Sequence, residues 1–413
     1  EYKNVYRPVR VVSYDKESGE LVLHNYMDFD DLKDYVKISY ELTQDGLVIS
    51  KGKLAEVSVA PHSEGKTNLK VNVQENGKCY LKLIYHLKKE MPLLEENHIL
   101  GFDEIEVSQK DAKCQLAEKW LEKTATDSEL QVNEDDTQIH IKGREFAYTI
   151  DRRTALFTEM KFAGREYLNH PMELNIWRAP TDNDMYIKAE WKKAHYDKAY
   201  TRAYTTEVVQ GKHGVKIVSH ASVVAETVQK ILDVTITWKI DASGKIDADI
   251  EAAKDGEFPD LPRFGVRMFL DKKLSDARYF GMGPQESYRD KHQAASHGLY
   301  RANVRDLHED YIRPQENGSH YDCGYVELNN SRYGMAAFSE STFSFNASYY
   351  TQEELEKKTH NYELAESDSV VLCVDYALNG IGSNSCGPVV LDQYRFNDVL
   401  FRFQFTLVPY VKG

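Results

Sequence analysis

Apolar and polar residues alternate along most of this chain with a period of two, the spacing of a β-strand that buries one face. In the first hundred residues the alternation is clearest at Val36, Ile38, Tyr40 and Leu42, and again at Leu81, Leu83, Tyr85 and Leu87. Gln44-Asp45-Gly46, just after the first of these runs, has the composition of a hairpin turn. Short alternating strands with turns between them predict an immunoglobulin-like β-sandwich over residues 1–107.

Residues 108–128 interrupt the alternation. They are rich in Lys, Glu, Ala and Asp and show no strand periodicity. The composition predicts a linker, with one turn of helix around Ala117–Leu121.

From residue 129 to residue 413 the strand pattern returns. Alternating apolar positions recur at Ile139 and Ile141, at Phe146, Tyr148 and Ile150, at Val234, Ile236, Trp238 and Ile240, and at Phe401, Phe403, Phe405 and Leu407. One short helix is predicted at Gln352–Lys358, because Thr351 can cap it and Glu354 stands at its third position. About 285 residues of this kind predict one large antiparallel β-sandwich, so the whole chain is expected to be all-β.

Charge and composition narrow the classes of function. The formal net charge is −14, which disfavours a phosphate backbone as partner, and no apolar run approaches the ~20 residues of a membrane span. The five cysteines are scattered without a Cys-x-x-Cys pair, so a disulfide framework is not expected and a reducing cytoplasm is the predicted location. The chain opens without Met, so we expect it to be a piece of a longer protein.

The densest polar cluster is Arg178-Ala-Pro-Thr-Asp182-Asn183-Asp184. Three interpretations are open: a cation site formed by Asp182 and Asp184, a contact surface for a polyhydroxylated ligand, or a loop whose side chains cap its own amides.

Two further clusters follow. In Tyr279 to Asp290, Glu286 and Asp290 could serve as an acid/base pair, although a structural ion pair involving Arg289 is the competing interpretation. In Gly380 to Pro388, flanking glycines predict a tight loop in which Cys386 has no adjacent base to activate it. Nearby histidines lack the HExxH spacing of a zinc site; they are His292, His297, His308 and His320.

These clusters resemble a known family in their order and spacing. Asn175 to Asp184, Gly281 to Tyr288, Pro314 to Gly318, Phe345 to Tyr350 and Gly380 to Pro388 resemble the small-chain domain of family 2 β-galactosidases. Upstream, Asn25 to Phe29 with Leu32, and Asp45-Gly46 followed by Gly52, resemble the immunoglobulin-like domain that precedes it.

The resemblance implies more than the pattern does. It implies that residues 129–413 form a galactose-mutarotase-like sandwich and that the full enzyme hydrolyses terminal β-galactosides with two Glu residues on a barrel outside this chain. No catalytic residue or metal ligand is then expected here, and the full enzyme's Mg and Na would be bound elsewhere. The implied partners are that barrel or a separate large subunit, a galactoside substrate, and further copies in an oligomer, with no nucleic acid or membrane.

The resemblance also implies which residues reach the substrate. Asp182, Asn183 and Asp184 match a segment beside the galactose pocket, and Ser385 and Cys386 stand where a well-known member presents a Trp. The first hypothesis is therefore a non-catalytic part of a β-galactosidase that contributes rim loops and assembly contacts. The alternatives are a freestanding carbohydrate-binding module and a mutarotase-like sugar epimerase, the latter needing a His and a Glu in one cleft.

Overall fold

The computed structural model describes residues 1–74, 76–108, 116–118 and 130–412. Antiparallel strands make up nearly all of its regular structure, which confirms the all-β prediction. The chain divides into two compact units, one formed by 1–116 with 292–299 and the other by 117–291 with 300–413.

The first unit holds seven strands in two sheets. The strands are β1 (Val9–Tyr14), β2 (Glu20–Asn25), β3 (Val36–Gln44), β4 (Leu47–Lys53), β5 (Glu64–Asn68), β6 (Cys79–Leu87) and β7 (Ile99–Ser108), with short helices α1 (Tyr2–Val5) and α2 (Leu32–Tyr35). One sheet has the order β1-β2-β5 and the other the order β4-β3-β6-β7. This three-plus-four arrangement is that of an immunoglobulin-like sandwich.

The alternation of apolar residues explains how this unit closes. Leu42 of β3 lies opposite Leu81 of β6, and both are fully buried. The β3–β4 hairpin turns at Asp45 and Gly46, whose φ angles are 45° and 80°. Two consecutive left-handed residues make a type I′ turn, which Asp-Gly adopts readily because glycine has no Cβ to clash.

The predicted linker, residues 108–128, falls mostly outside the described residues. Within it the structure describes residue 108, which ends β7, and residues 116–118, which are helical. The remainder of the helical turn predicted around Ala117–Leu121 lies outside the described residues.

The second unit holds most of the remaining strands. They are β8 (Gln131–Glu134), β9 (Gln138–Lys142), β10 (Phe146–Asp151), β11 (Leu156–Phe162), β12 (Arg165–Glu166), β13 (Leu168–Asn175), β14 (Tyr200–Gln210), β15 (Gly214–Val224), β16 (Leu232–Asp241), β17 (Ile246–Lys254), β18 (Arg263–Asp271), β19 (Asp276–Gly283), β20 (Ser296–Asn303), β21 (Ser319–Asn329), β22 (Tyr333–Ser348), β23 (Ser369–Leu378) and β24 (Leu400–Val411). The first residues of β20 belong to the first unit.

These strands form a five-stranded and a twelve-stranded sheet. The first has the order β12-β11-β10-β9-β8, and the main path of the second is β13-β18-β23-β22-β24-β17-β16-β15-β14. Trp238 of β16 packs edge-on against Phe157 of β11 and Phe405 of β24 in the core that the two sheets enclose. The alternating positions seen in the sequence are therefore the inward-facing residues of this large sandwich.

The helices of this unit are short. They are α3 (Ile187–Lys193) and α4 (Gln352–Lys357), and the Thr351 hydroxyl accepts a hydrogen bond from the Glu354 amide at 3.1 Å. The helix predicted at 352–358 and its cap are thus confirmed. None of the helices in the described ranges is long and apolar enough to cross a membrane.

One histidine is enclosed by the aromatic core. His320 of β21 is 1% exposed and lies 4.4 Å from the Tyr279 ring and 5.0 Å from the Phe345 ring, between centroids. Its Nδ1 is 3.3 Å from the Met282 carbonyl, and its Nε2 has no hydrogen-bond partner in the described part of the chain. Burial lowers the pKa of His320 to about 4, although the Met282 carbonyl and Glu286 favour the proton.

We therefore predict acid destabilisation through His320. Between pH 6.5 and pH 4 the unfolded chain binds a proton that the folded chain does not, so the free energy of unfolding falls as the pH falls. The two pKa values correspond to a loss of about 2–3 kcal/mol between pH 7 and pH 4.5. His320→Phe should remove this part of the slope in urea unfolding, whereas His140→Phe, at an exposed position, should not. Equal slopes in the two variants would contradict the assignment.

Candidate functional site

The strand order places two polar loops at one edge of the large sheet. β13 and β23 both pair antiparallel with β18, so they run parallel to each other and end at the same edge. The loop 176–184 follows β13 and the loop 379–388 follows β23. Segments about 200 residues apart in sequence are therefore brought together by their shared neighbour.

The two loops are in direct contact through predicted site residues. The Asn183 side-chain amide donates to the Gly382 carbonyl at 2.7 Å, and the Ser385 hydroxyl donates to the Asn183 side-chain oxygen at 2.9 Å. Ser385 is exposed and Asn183 is half-buried. We call this contact, together with Asp182, Asp184 and Cys386, the loop cluster.

Asp184 lies beneath the surface of the loop cluster and binds Arg178. The Arg178 guanidinium is fully buried and donates to the two Asp184 oxygens at 3.1 and 2.7 Å. Asp184 also accepts the Thr181 amide, and Arg178 donates to the carbonyls of Asn379 and Gly380. Asp184 therefore anchors both loops and is not available to a ligand.

Asp182 is exposed and points to a third segment. Its amide donates to the Gln315 side chain at 3.0 Å, and the Gln315 amide group lies 3.4 Å from the Asp182 carboxylate. The loop around Pro314 to Gly318, quoted above for its resemblance, is thus part of the same surface. Of the three interpretations left open for this cluster, self-capping describes Asp184, and Asp182 and Asn183 remain accessible to a polar ligand.

Asp290 holds the second loop in place. Its two carboxylate oxygens accept the amides of Ile381 and Gly382 at 2.9 and 2.7 Å. A Cβ on Gly380 would stand 2.8 Å from the Asp290 carboxylate, so this close approach requires glycine. The sequence singled out Asp290 as half of an acid/base pair, whereas the structure uses both of its oxygens to shape the loop.

Glu286, the other half of that pair, is also occupied. Its carboxylate accepts hydrogen bonds from Lys291, from the Tyr311 hydroxyl and, at 2.9 Å, from the Gly318 amide. The Arg289 guanidinium, which the alternative interpretation paired with a carboxylate, donates to the Arg395 carbonyl at 2.9 Å. Both carboxylates therefore have structural roles.

Cys386 is exposed at the tip of the second loop. Two large apolar side chains follow this loop in the sequence, Val389 and Leu391, which are 68% and 61% exposed. Met185 and Tyr186, which follow the first loop, are exposed as well. Sequence reasoning missed these four residues, whose signal was an apolar side chain within a loop that otherwise carries turn residues.

A second buried cation underlies the loop cluster. Arg263, at the start of β18, is fully buried and donates to Asp375 of β23 and, at 3.2–3.3 Å, to the carboxylate of Glu316. The Glu316 amide in turn donates to the Ala179 carbonyl of the first loop at 3.0 Å. Burial alone would lower the pKa of Arg263, but Asp375 and Glu316 together raise it, so the guanidinium stays charged.

The buried carboxyl of Glu316 is subject to opposing influences on its pKa. Burial raises the pKa of Glu316, and Arg263 and Arg178 oppose that rise while Asp375 and Glu286 add to it.

Among the described residues no group of three His, Cys, Asp or Glu side chains is arranged to hold a metal ion. The groups that remain at the surface of the loop cluster are the Asn183 amide, the Ser385 hydroxyl and the Asp182 carboxylate.

The strands and this surface define a class of protein: an all-β, two-unit chain that presents a polar loop cluster at the edge of a large antiparallel sandwich. Comparison with known sequences identifies the family. Residues 142–407 match the family described as the β-galactosidase small chain, and residues 21–108 match β-galactosidase domain 4. The chain belongs to the β-galactosidase small-chain family.

Individual relatives agree with this assignment. A β-galactosidase of Actinobacillus pleuropneumoniae is 41% identical over 408 residues, which are 99% of this chain and 39% of that protein. A β-galactosidase of Staphylococcus xylosus is 31% identical over 412 residues, 98% of this chain and 40% of that protein. The chain therefore spans about two fifths of the length of these relatives. Among solved structures, a galactose 1-epimerase from Lactobacillus acidophilus matches 70% of this chain and all of its own, with a TM-score of 0.36 and 9% identity.

The buried ion pairs generate a stability prediction. Arg263→Met would leave Asp375 and Glu316 buried without their cation, and breaking a buried pair in this way costs about 3–5 kcal/mol. The matched control is Arg402→Met, which removes a solvent-exposed pair with Asp249 and should lower the free energy of unfolding far less. Urea unfolding of both variants measures the difference. An equal loss of unfolding free energy in the two variants would contradict a larger contribution from the buried Arg263 pairs.

Proposed function

We propose that this chain is a non-catalytic part of a β-galactosidase and that its loop cluster forms part of the rim of the galactoside-binding site. The observation that carries the proposal is the contact between Asn183 and Ser385, which unites two loops that are expected from the resemblance to border the substrate. Amide, hydroxyl and carboxylate groups at an exposed edge are suited to sugar hydroxyls. The exposed apolar residues beside them suit contact with another protein surface or with an aglycone.

The carboxylates of the chain support a non-catalytic role. A retaining glycosidase needs two carboxyl groups about 5–5.5 Å apart, one to attack and one to donate a proton. Glu286, Asp290 and Asp184, three acidic residues in or near the loop cluster, are each bound by amides or cations that hold the fold together. The proposal therefore assigns the catalytic pair, together with the Mg and Na of the full enzyme, to the three fifths of the relatives that this chain does not cover.

The partner follows from the same reasoning. Rim loops lie beside a catalytic barrel, which is either part of the same polypeptide or a separate large subunit. The apolar residues Met185, Tyr186, Val389 and Leu391 flank the polar groups and are proposed to pack against that partner. Oligomer assembly through other surfaces of the chain is part of the same hypothesis.

Activity of the isolated chain tests the proposal. The purified chain should not hydrolyse a chromogenic β-galactoside, because the proposal assigns the opposed carboxyl pair to the part of the enzyme outside this chain. The full-length A. pleuropneumoniae β-galactosidase in the same assay is the positive control. Sustained turnover by the chain alone would overturn the non-catalytic assignment.

The rim role predicts an effect of an aromatic residue at position 386. In a chimaera that carries this chain in place of the matching region of the A. pleuropneumoniae enzyme, Cys386→Trp should lower KM for lactose about 2- to 10-fold. That range corresponds to the roughly 0.5–1.5 kcal/mol of an aromatic ring contact. Cys386→Leu is the control for added apolar surface. If the Trp and Leu variants have the same KM as the parent chimaera, the second loop does not border the substrate.

A further inference from the structure

A separate cleft opens in the larger unit on the side of Arg289. Its volume is about 200 Å³, and it is lined by residues that follow β19, by residues of β21, β22 and β23, and by Asp398, just before β24. The lining includes Arg289, Tyr321, Asp322, Ser344, Tyr376 and Asp398. We call it the Tyr321 cleft. It shares no lining residue with the loop cluster, although Arg289 and Asp290 are consecutive in the chain.

The polar groups of the Tyr321 cleft surround one guanidinium. Burial raises the pKa of Tyr321, with Asp322 adding to the rise and Arg289 opposing it. Burial likewise raises the pKa of Tyr376, with Asp398 adding and Arg289 opposing. Arg289 therefore lies within electrostatic reach of both phenol groups, and a carboxylate stands beside each phenol.

The backbone of β21 is reshaped where it lines the cleft. Between His320 and Cys323 this strand advances by three residues while its partner β22 advances by two, from Phe345 to Phe343, so β21 carries a bulge. Within the bulge Asp322 has a φ of 52°, a left-handed conformation that is uncommon for residues other than glycine. Bulges re-aim side chains and are frequent beside binding sites, and this one places Tyr321 and Asp322 on the cleft.

The charges of the cleft select against ions. Two carboxylates, Asp322 and Asp398, and one guanidinium line it, so a phosphate or carboxylate ligand would meet more negative than positive charge. A cation would be repelled by Arg289, which lines the same cleft. A neutral ligand that both donates and accepts hydrogen bonds can contact all three groups without adding a charge, and the phenol rings can pack against its apolar C–H surface.

The size of the cleft restricts the ligand further. Pockets for drug-sized molecules measure about 300–1,000 Å³, so about 200 Å³ suits a single ring. We propose that the Tyr321 cleft is a binding site for a neutral monosaccharide in its pyranose form, distinct from the loop cluster. None of the described residues that line it is His or Glu, so the cleft binds a sugar without the acid/base pair that epimerisation needs.

Titration calorimetry with D-galactose and D-glucose tests this proposal on the full chain. We expect a Kd on the order of 1 mM for at least one of the two sugars, as for other small ligands held by a few hydrogen bonds. Arg289→Met and Asp398→Asn should each weaken binding about tenfold, the loss expected when a hydrogen bond to a charged group is removed. Asp392→Asn, an exposed position outside the cleft, is the matched control and should bind as the parent chain does.

Three results would overturn the proposal. They are absence of heat for both sugars up to about 100 mM, unchanged affinity in both cleft variants, and tighter binding of inorganic phosphate than of either sugar. If Arg289→Met does not fold, as judged by its thermal unfolding, Asp398→Asn alone decides. The Cys386→Trp experiment uses other residues, so the two proposals can fail independently.

Discussion

Two guanidinium groups buried in the larger unit constrain how its strands and loops are arranged. Arg178 and Arg263 are both fully enclosed, and a buried charge is tolerated only when it is paired and its hydrogen-bonding groups are satisfied. Their partners come from distant parts of the chain: Asp184 and two carbonyls for Arg178, Asp375 and Glu316 for Arg263. Each pairing fixes one loop against a strand end. Buried ion pairs, in addition to the hydrogen bonds between strands, therefore stabilise the edge of the sheet where β13 and β23 end.

The loop cluster depends on this foundation. Because Arg178 binds the carbonyls of Asn379 and Gly380, the second loop must leave β23 beside the first. Asp290 then fixes its path by accepting two consecutive amides. Asp184 and Asp290 are thus committed to the fold, and the groups that remain at the surface are Asn183, Ser385 and the exposed Asp182. In the proposed function, this surface orients a polar ligand and the bond-breaking chemistry belongs to groups on another scaffold.

The Tyr321 cleft stands next to this edge but uses different groups. Arg289 and Asp290 are adjacent in sequence, yet Asp290 shapes the second loop while Arg289 lines the cleft. Both residues lie in the turn that the Tyr288–Lys291 bridge closes, and their side chains leave this turn toward different surfaces. A chain that spans about two fifths of its β-galactosidase relatives therefore carries two separate polar surfaces in one unit.

Local pattern was enough to predict much of the fold. Alternation at Val36 to Leu42, the Asp45-Gly46 turn and the Thr351 cap depend on residues within a few positions of each other, so the sequence alone determined them. The motifs also pointed to Asn183 and Ser385, through resemblance. Only the tertiary structure decided that these two residues touch, that Asp290 binds amides, and which carboxylates neutralise Arg263. The physical reason is that β13, β18 and β23 become neighbours through pairing over long sequence separations, and a local pattern of polar and apolar residues does not encode which strands pair.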